Sequence, residues 1–227
     1  MTEQSSTEVR DTYVNAMGEG LGSVFHELWA ELVWLHVKWD EFKVLYIVKP
    51  SRVDLLNRTT GMFFAMIQAV LWEDILLHMA RLMDPPRSAG KETLTFKRLS
   101  GLMPTDELRA SLQPLIHEAG AKTEFARDWR NRRIAHRDLN HVLDPRAKPL
   151  ETARVEEVDE GLRSLAAALN CLHLTYFGSE LNFDKVYRRN GGFALLKILR
   201  EGNDARDARN ERLKRGMPLP DDFGSDI

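Results

Sequence analysis

Within residues 127–138, RDWRNRRIAHRD, five arginines and one histidine fall inside a dozen positions, a density of cationic and proton-carrying groups that no other stretch of the chain matches. An imidazole with an ordinary pKa of about 6.5 takes up and returns a proton near neutral pH. A guanidinium adds a permanent positive charge and a planar fork of donors that fits phosphate oxygens. Together they suit the cleavage of RNA: a base removes the 2′-OH proton, that oxygen attacks the adjacent phosphate, and cationic donors hold the added negative charge of the transition state. His136 is the candidate proton carrier, and Arg127, Arg130, Arg132 and Arg133 crowd one side of it. Such chemistry asks for no metal and no cofactor.

Arg130-Asn131, a short spacer and His136, with Ile134-Ala135 just ahead of the histidine, resemble the signature of the HEPN superfamily of small helical proteins. The wider phrase, with an aspartate and a tryptophan before it and RIAHRD closing it, is most similar to the AbiU-type abortive-infection branch. The upstream run ARLMDPP, residues 80–86, fits the same branch, and the resemblance spans roughly residues 20 to 180. It implies a metal-independent endoribonuclease of toxin or phage-defence type, often a homodimer that brings two motifs face to face. In that reading RNA is the substrate or ligand, and an antitoxin or defence-system protein is a further partner. His136 is then the general acid and base, Arg130 with Arg133 holds the phosphate, and Asn131 positions the turn or a substrate oxygen. One departure limits this. Toxin members paired with a nucleotidyltransferase antitoxin usually carry a tyrosine two residues past the histidine, where Asp138 stands here.

Helix geometry constrains the pairing. Residues six apart on an unbroken α-helix are turned by about 240° and rise by about 9 Å, so Arg130 and His136 do not share a face. Arg132 and Arg133, four and three residues before the histidine, do. Either the helix loosens near Ile134-Ala135, or a second protomer closes the gap, or the working arginine is Arg133 rather than Arg130, the first choice. The bland alternative is a solvated helix face, with Asp128 paired to Arg132, Arg133 and Asp138 satisfied nearby, and His136 at a helix C-terminus where a cation is favoured.

The elements that must position this motif are helical. Leu21, Phe25, Leu28, Leu32, Leu35, Trp39, Phe42 and Tyr46 recur in steps of four and three, a heptad seam on one long helix that stops near Pro50. A second long helix, with Ser51 as its N-cap, carries one stripe through Val53, Leu56, Thr60, Phe63, Ile67, Leu71, Ile75, His78 and Leu82, and a methionine-rich one through Met62, Met66, Met79 and Met83. Two apolar stripes mean two covered sides: one facing the bundle, the other a further helix or a partner protomer. Asp84-Pro85-Pro86 ends that helix, and Thr105 caps another that runs to Glu118 and stops at Gly120. The motif helix starts near Lys122 and buries Phe125 and Trp129; the next, capped by Thr152, has the seam Val155, Val158, Leu162, Leu165, Leu169, Leu172 and Tyr176. The expected fold is all-α: an up-and-down antiparallel bundle of four to five main helices, HEPN-like, with a short helical C-terminal extension. Its parts are a frayed or loosely helical polar arm (1–18), the bundle (19–180), an extension (181–201) whose helix spans Gly192 to Arg200, and a charged tail (202–227). Within that tail, residues 203–215 read as exposed helix or disorder.

Composition bounds the remaining choices. The net charge is −2, yet residues 122–148 hold eight Lys and Arg against four Asp and Glu, a local basic patch on a near-neutral protein. Lys91, Lys97 and Arg98 are further candidates for an RNA groove, with plain solvation as the default. Cys171 alone excludes an internal disulfide and a cysteine metal knot, and it reads as a buried structural thiol in a reducing, cytoplasmic setting. No secretion signal is visible at the N-terminus, and charges interrupt every candidate membrane run. His26 and His36 read as packing residues and His141 as an exposed loop histidine or second proton carrier. Asp74 and His78 read as an intrahelical carboxylate–imidazole pair rather than as metal ligands with Glu73. Phosphate-loop, dinucleotide and zinc-protease motifs are absent. Two other readings stand beside the nuclease: a non-catalytic module that binds RNA, nucleotide or protein through the basic patch, and a structural homodimeric bundle whose arginines hold carboxylates.

Overall fold

Every residue of the first heptad seam, from Leu21 to Tyr46, is buried along α2 (Glu19–Tyr46) in the computed structural model. The model describes residues 6–88, 90–135, 143, 150, 153–183, 190–219 and 222. The chain is all-α, as the seams require. It divides into two compact units: residues 1–38 with 72–186, and residues 39–71 with 187–227. Both long helices, α2 and α3 (Pro50–Leu82), contribute to each.

Helix α3 starts on Pro50, a first-turn position where the missing N–H is no loss, so Ser51 is inside the helix and not its cap. At Thr60 the backbone leaves the helical region (φ −153°, ψ 77°). Just past this break the expected stripe slips, Phe64 being 6 % exposed and Phe63 51 %, while Ile75, His78 and Leu82 farther along are buried where the stripe places them. Met62, Met66 and Val70 are more than half exposed as well. Residues 59–72 hold no charged side chain. By length and composition, α3 is therefore long and apolar enough to cross a membrane, contrary to the expectation that charges interrupt every such run.

In the first unit α2 and α3 run antiparallel, Glu31 meeting His78 and Lys38 meeting Asp74. Residues expected as a polar arm form α1 (Ser6–Met17), which packs because Tyr13 and Met17, four apart, are apolar; the Tyr13 ring stands 4.8 Å from Phe25 and 5.6 Å from Phe177, edge to face with each. After α3 comes a two-stranded hairpin, β1 (Arg87–Ser88) and β2 (Lys91–Glu92), with Gly90 at φ 77° in its turn. A 3₁₀ segment, Phe96–Leu102, buries Phe96 and Leu99, three apart as its pitch demands. Helix α4 (Asp106–Lys122) is capped by Thr105, whose hydroxyl accepts from the Leu108 N–H at 3.2 Å. It passes through Gly120 and ends at Thr123, whose hydroxyl donates to the Ala119 carbonyl at 2.7 Å. The short α5 (Glu124–Trp129) follows. Helix α6 (Val155–Phe177) lies antiparallel to α4, Lys122 pairing with Glu160 at 2.6 Å, and buries its seam from Val158 to Leu172. Arg154 is its N-cap residue, its backbone N–H donating to Glu157 Oε2 at 2.7 Å; Thr152 lies outside the described residues. Gly178, at φ 66°, terminates it.

The second unit is built on α7 (Gly192–Lys214), which continues well past Arg200 through the charged segment. Polar groups hold this part. Asn203, 4 % exposed, donates to the Thr59 hydroxyl at 2.6 Å, and Arg58 pairs with Asp207 at 2.7 Å. Stacked Trp39 and Phe42 and the Tyr46 hydroxyl, which donates to the Phe64 carbonyl at 3.1 Å, complete the unit's aromatic packing.

Candidate functional site

The arginine-bearing helix takes its place from α3. Helix α5 restarts after Thr123, buries Phe125 and Ala126, and sets Trp129 edge-on to Trp72 at 6.5 Å. From Arg130 to Ile134 the pitch changes to a π turn, closed by the Ala135 N–H on the Arg130 carbonyl at 2.8 Å. An i→i+5 turn holds about one residue more than an α turn. Loosening at Ile134-Ala135 is one of the three routes by which positions 130 and 136 can approach one face. His136 lies outside the described residues, as do Arg137, Asp138, His141 and Lys148.

The four described arginines are all held. Arg130 Nη1 pairs with the carboxylate of Asp84, just past the end of α3, and its Nε donates to Asn131 Oδ1 at 3.0 Å. Its Nη2 carries no hydrogen bond among the described residues. Arg133 donates from Nε to Glu73 Oε1 at 3.1 Å, and its guanidinium lies over the Trp129 ring, 5.4 Å from the centroid. Both of its Nη groups are unbonded among the described residues. Arg132 pairs with Asp128 at 3.2 Å, i to i+4, as the solvated-face alternative expects. Arg127 donates from Nη2 to the Met83 carbonyl at 2.8 Å. The run ARLMDPP thus meets RDWRNRR twice, through Met83 with Arg127 and Asp84 with Arg130.

The structure therefore brings Arg130, Asn131 and Arg133 onto one short turn anchored to α3, with unused donors on two guanidiniums among the described residues. Asn131 acts on Arg130, by accepting from it. Sequence reasoning missed three partners: Asp84, Glu73 and Trp129. Two of them left a signal, since Asp84 is the acid inside ARLMDPP and Glu73 is the first charge after the uncharged run 59–72.

Glu73, Asp74 and His78 do not converge. Glu73 goes to Arg133, while Asp74 Oδ2 accepts from Lys38 Nζ at 2.6 Å. The same ammonium lies 3.2 Å from His78 Nδ1, and His78 Nε2 is 2.6 Å from Glu31 Oε2. The carboxylate beside His78 is thus Glu31 of α2, not Asp74, because Lys38 stands between the two. Burial, and then the Lys38 charge, pull the His78 pKa down to about 4. Among the described residues no trio of His, Cys, Asp or Glu is arranged to hold a metal. His26 and His36 are buried in aromatic packing, His36 stacked on Phe183 at 5.3 Å, whereas Cys171 is half-buried rather than buried, and that burial raises its thiol above its ordinary value.

A family model named HEPN_AbiU2, described as AbiU2, matches residues 18–192. No curated protein and no solved structure matches the chain.

Proposed function

We propose, from the premise that the chain belongs to the HEPN_AbiU2 family, that it is a metal-independent endoribonuclease of the toxin or phage-defence type. His136 takes the proton from a ribose 2′-OH as the 2′-oxygen bonds to phosphorus, and returns a proton to the departing 5′-oxygen as the P–O5′ bond breaks. A 2′,3′-cyclic phosphate and a 5′-hydroxyl result. Arg130 and Arg133 stabilise the phosphate charge that builds up in between, and Asn131 keeps Arg130 in place.

One observation carries this reading. Arg130 is fixed by Asp84, just past α3, and Arg133 by Glu73 of α3, each carboxylate taking a single nitrogen, which among the described residues leaves further N–H donors on both. Donors that need no rearrangement are the kind that lower a charged transition state. The partners in this reading are an RNA strand and a second copy of the chain, with an antitoxin or defence-system protein as a further one, and the setting is the cytoplasm. The second reading, a non-catalytic RNA-, nucleotide- or protein-binding module, draws on the same two guanidiniums, whose remaining donors suit holding a phosphate without cutting it.

Purified protein incubated with RNA in EDTA separates the two. The nuclease reading expects cleavage that survives the chelator and falls by about 10²- to 10⁴-fold in His136→Ala. RNA retained without cleavage, and retained less by Arg130→Ala and Arg133→Ala, establishes the binding module. RNA neither cut nor retained leaves a structural bundle.

A further inference from the structure

Beside the motif helix, the 3₁₀ segment, α4 and α5 border an open recess of about 440 Å³. Its lining places Lys97 from the 3₁₀ segment, Gln113 and His117 from α4 and Arg127 from α5 around one space, with Glu124 as the acidic group. Among the described residues Lys97 has no carboxylate within ion-pair distance. Arg127 gives one Nη to the Met83 carbonyl, and its nearest carboxylate oxygen, on a mostly exposed Glu124, is 3.7 Å away. Two cations therefore share a half-buried space with the loosely held Glu124, while Asp84, itself paired to Arg130, also acts on Lys97. Burial pulls the Lys97 ammonium below the ordinary lysine range, and the Arg127 charge acts in the same direction. An anion seated between them relieves both effects. A guanidinium fork and an ammonium match two oxygens of one phosphate, and an imidazole offers a ring N–H donor in either protonation state.

Resting on the RNA reading above, we propose that this recess is a second phosphate subsite, in which Lys97, His117 and Arg127 hold a backbone phosphodiester of the strand whose scissile phosphate lies at Arg130 and Arg133. Arg127 precedes Arg130 by three residues, about 4.5 Å along the helix. Phosphates of one strand reach both places. A single mononucleotide fills only one.

The test is fluorescence anisotropy of a labelled, 2′-O-methylated RNA oligonucleotide, which binds without being cut, titrated with the full chain across a salt series. Lys97→Gln weakens binding several-fold at low salt and lowers the slope of log K against log salt by about 0.7, the value for one phosphate contact to a single strand. Lys97→Arg restores both. The exposed His117→Gln gives a smaller loss in the same direction, so the outcome does not hang on one variant. Wild-type binding left unchanged in affinity and slope by Lys97→Gln and His117→Gln overturns the subsite while the RNA reading stands. A wild type that binds no RNA overturns both, and saturation by a nucleoside monophosphate at concentrations where the oligonucleotide gains nothing assigns the recess to a free nucleotide instead.

Discussion

Arg130 is ion-paired to Asp84, joining the first residue of the π turn to the acid that follows α3. The side chains are 23 % and 21 % exposed, between the surface and buried limits of such pairs. Surface pairs contribute about 0–1 kcal/mol, and breaking a buried one costs about 3–5 kcal/mol. Asp84→Asn is accordingly expected to destabilise the chain by roughly 1–2 kcal/mol in urea unfolding, with Arg130→Gln recovering part of the loss in the double variant. Free energies of the two single variants that simply add would show that the pair contributes nothing. RNA adds a second readout: with Asp84 neutralised, Arg130 keeps its charge but loses its direction, so strand affinity holds or rises while cleavage falls.

His78 sets a pH dependence of stability. Its folded pKa, about 4, lies below the unfolded value of about 6.5, so between those values the unfolded chain binds more protons than the folded one. Stability is full above about pH 6.5 and declines as pH falls toward 4, by about 3 kcal/mol at most, at 1.36 kcal/mol per pKa unit. Urea unfolding at stepped pH checks this. His78→Gln flattens the decline across that window, because a glutamine has no proton to gain; a variant that declines as steeply as the wild type assigns the effect to other groups.

The seams of α2 and α6 were legible because each is a strict heptad run on an unbroken helix; burial follows the first throughout and the second from Val158 to Leu172, with Val155 and Tyr176 at its ends only half-buried. The phase of α3 just past Thr60, at Phe63, was not legible, since a backbone break leaves no trace in apolar spacing, although Ile75, His78 and Leu82 beyond it keep the expected stripe. Nor was the extent of α7: its far half is held by Asn203 and Asp207, and polar anchors look like solvated surface until their partners are known. At the motif, Arg130, Asn131 and Arg133 were legible from type and spacing. Their carboxylates were not, because Glu73 and Asp84 are remote in sequence and only the fold of α3 against α5 supplies them.

Homodimerisation predicts a specific seam on α3. Met62, Met66 and Val70, four apart, form an exposed apolar line with Phe63 beside it, of a kind that soluble monomers rarely leave open. Residues 59–72 carry no charge, so a second copy related by a two-fold axis meets the line without opposing like charges, and flexible methionines adapt to it. Sedimentation velocity at micromolar concentration is expected to show a dimer for the wild type and a monomer for Met66→Glu. Because Met66 is 53 % exposed, the monomeric variant should keep its helical circular dichroism and a cooperative urea transition, which separates lost association from lost folding. Apolar burial is insensitive to salt screening, so dimerisation should survive 0.5 M NaCl, where the Debye length is only a few ångströms, while strand binding through arginines weakens. A wild type that sediments as a monomer, or a Met66→Glu chain that remains dimeric, removes this face from the assembly.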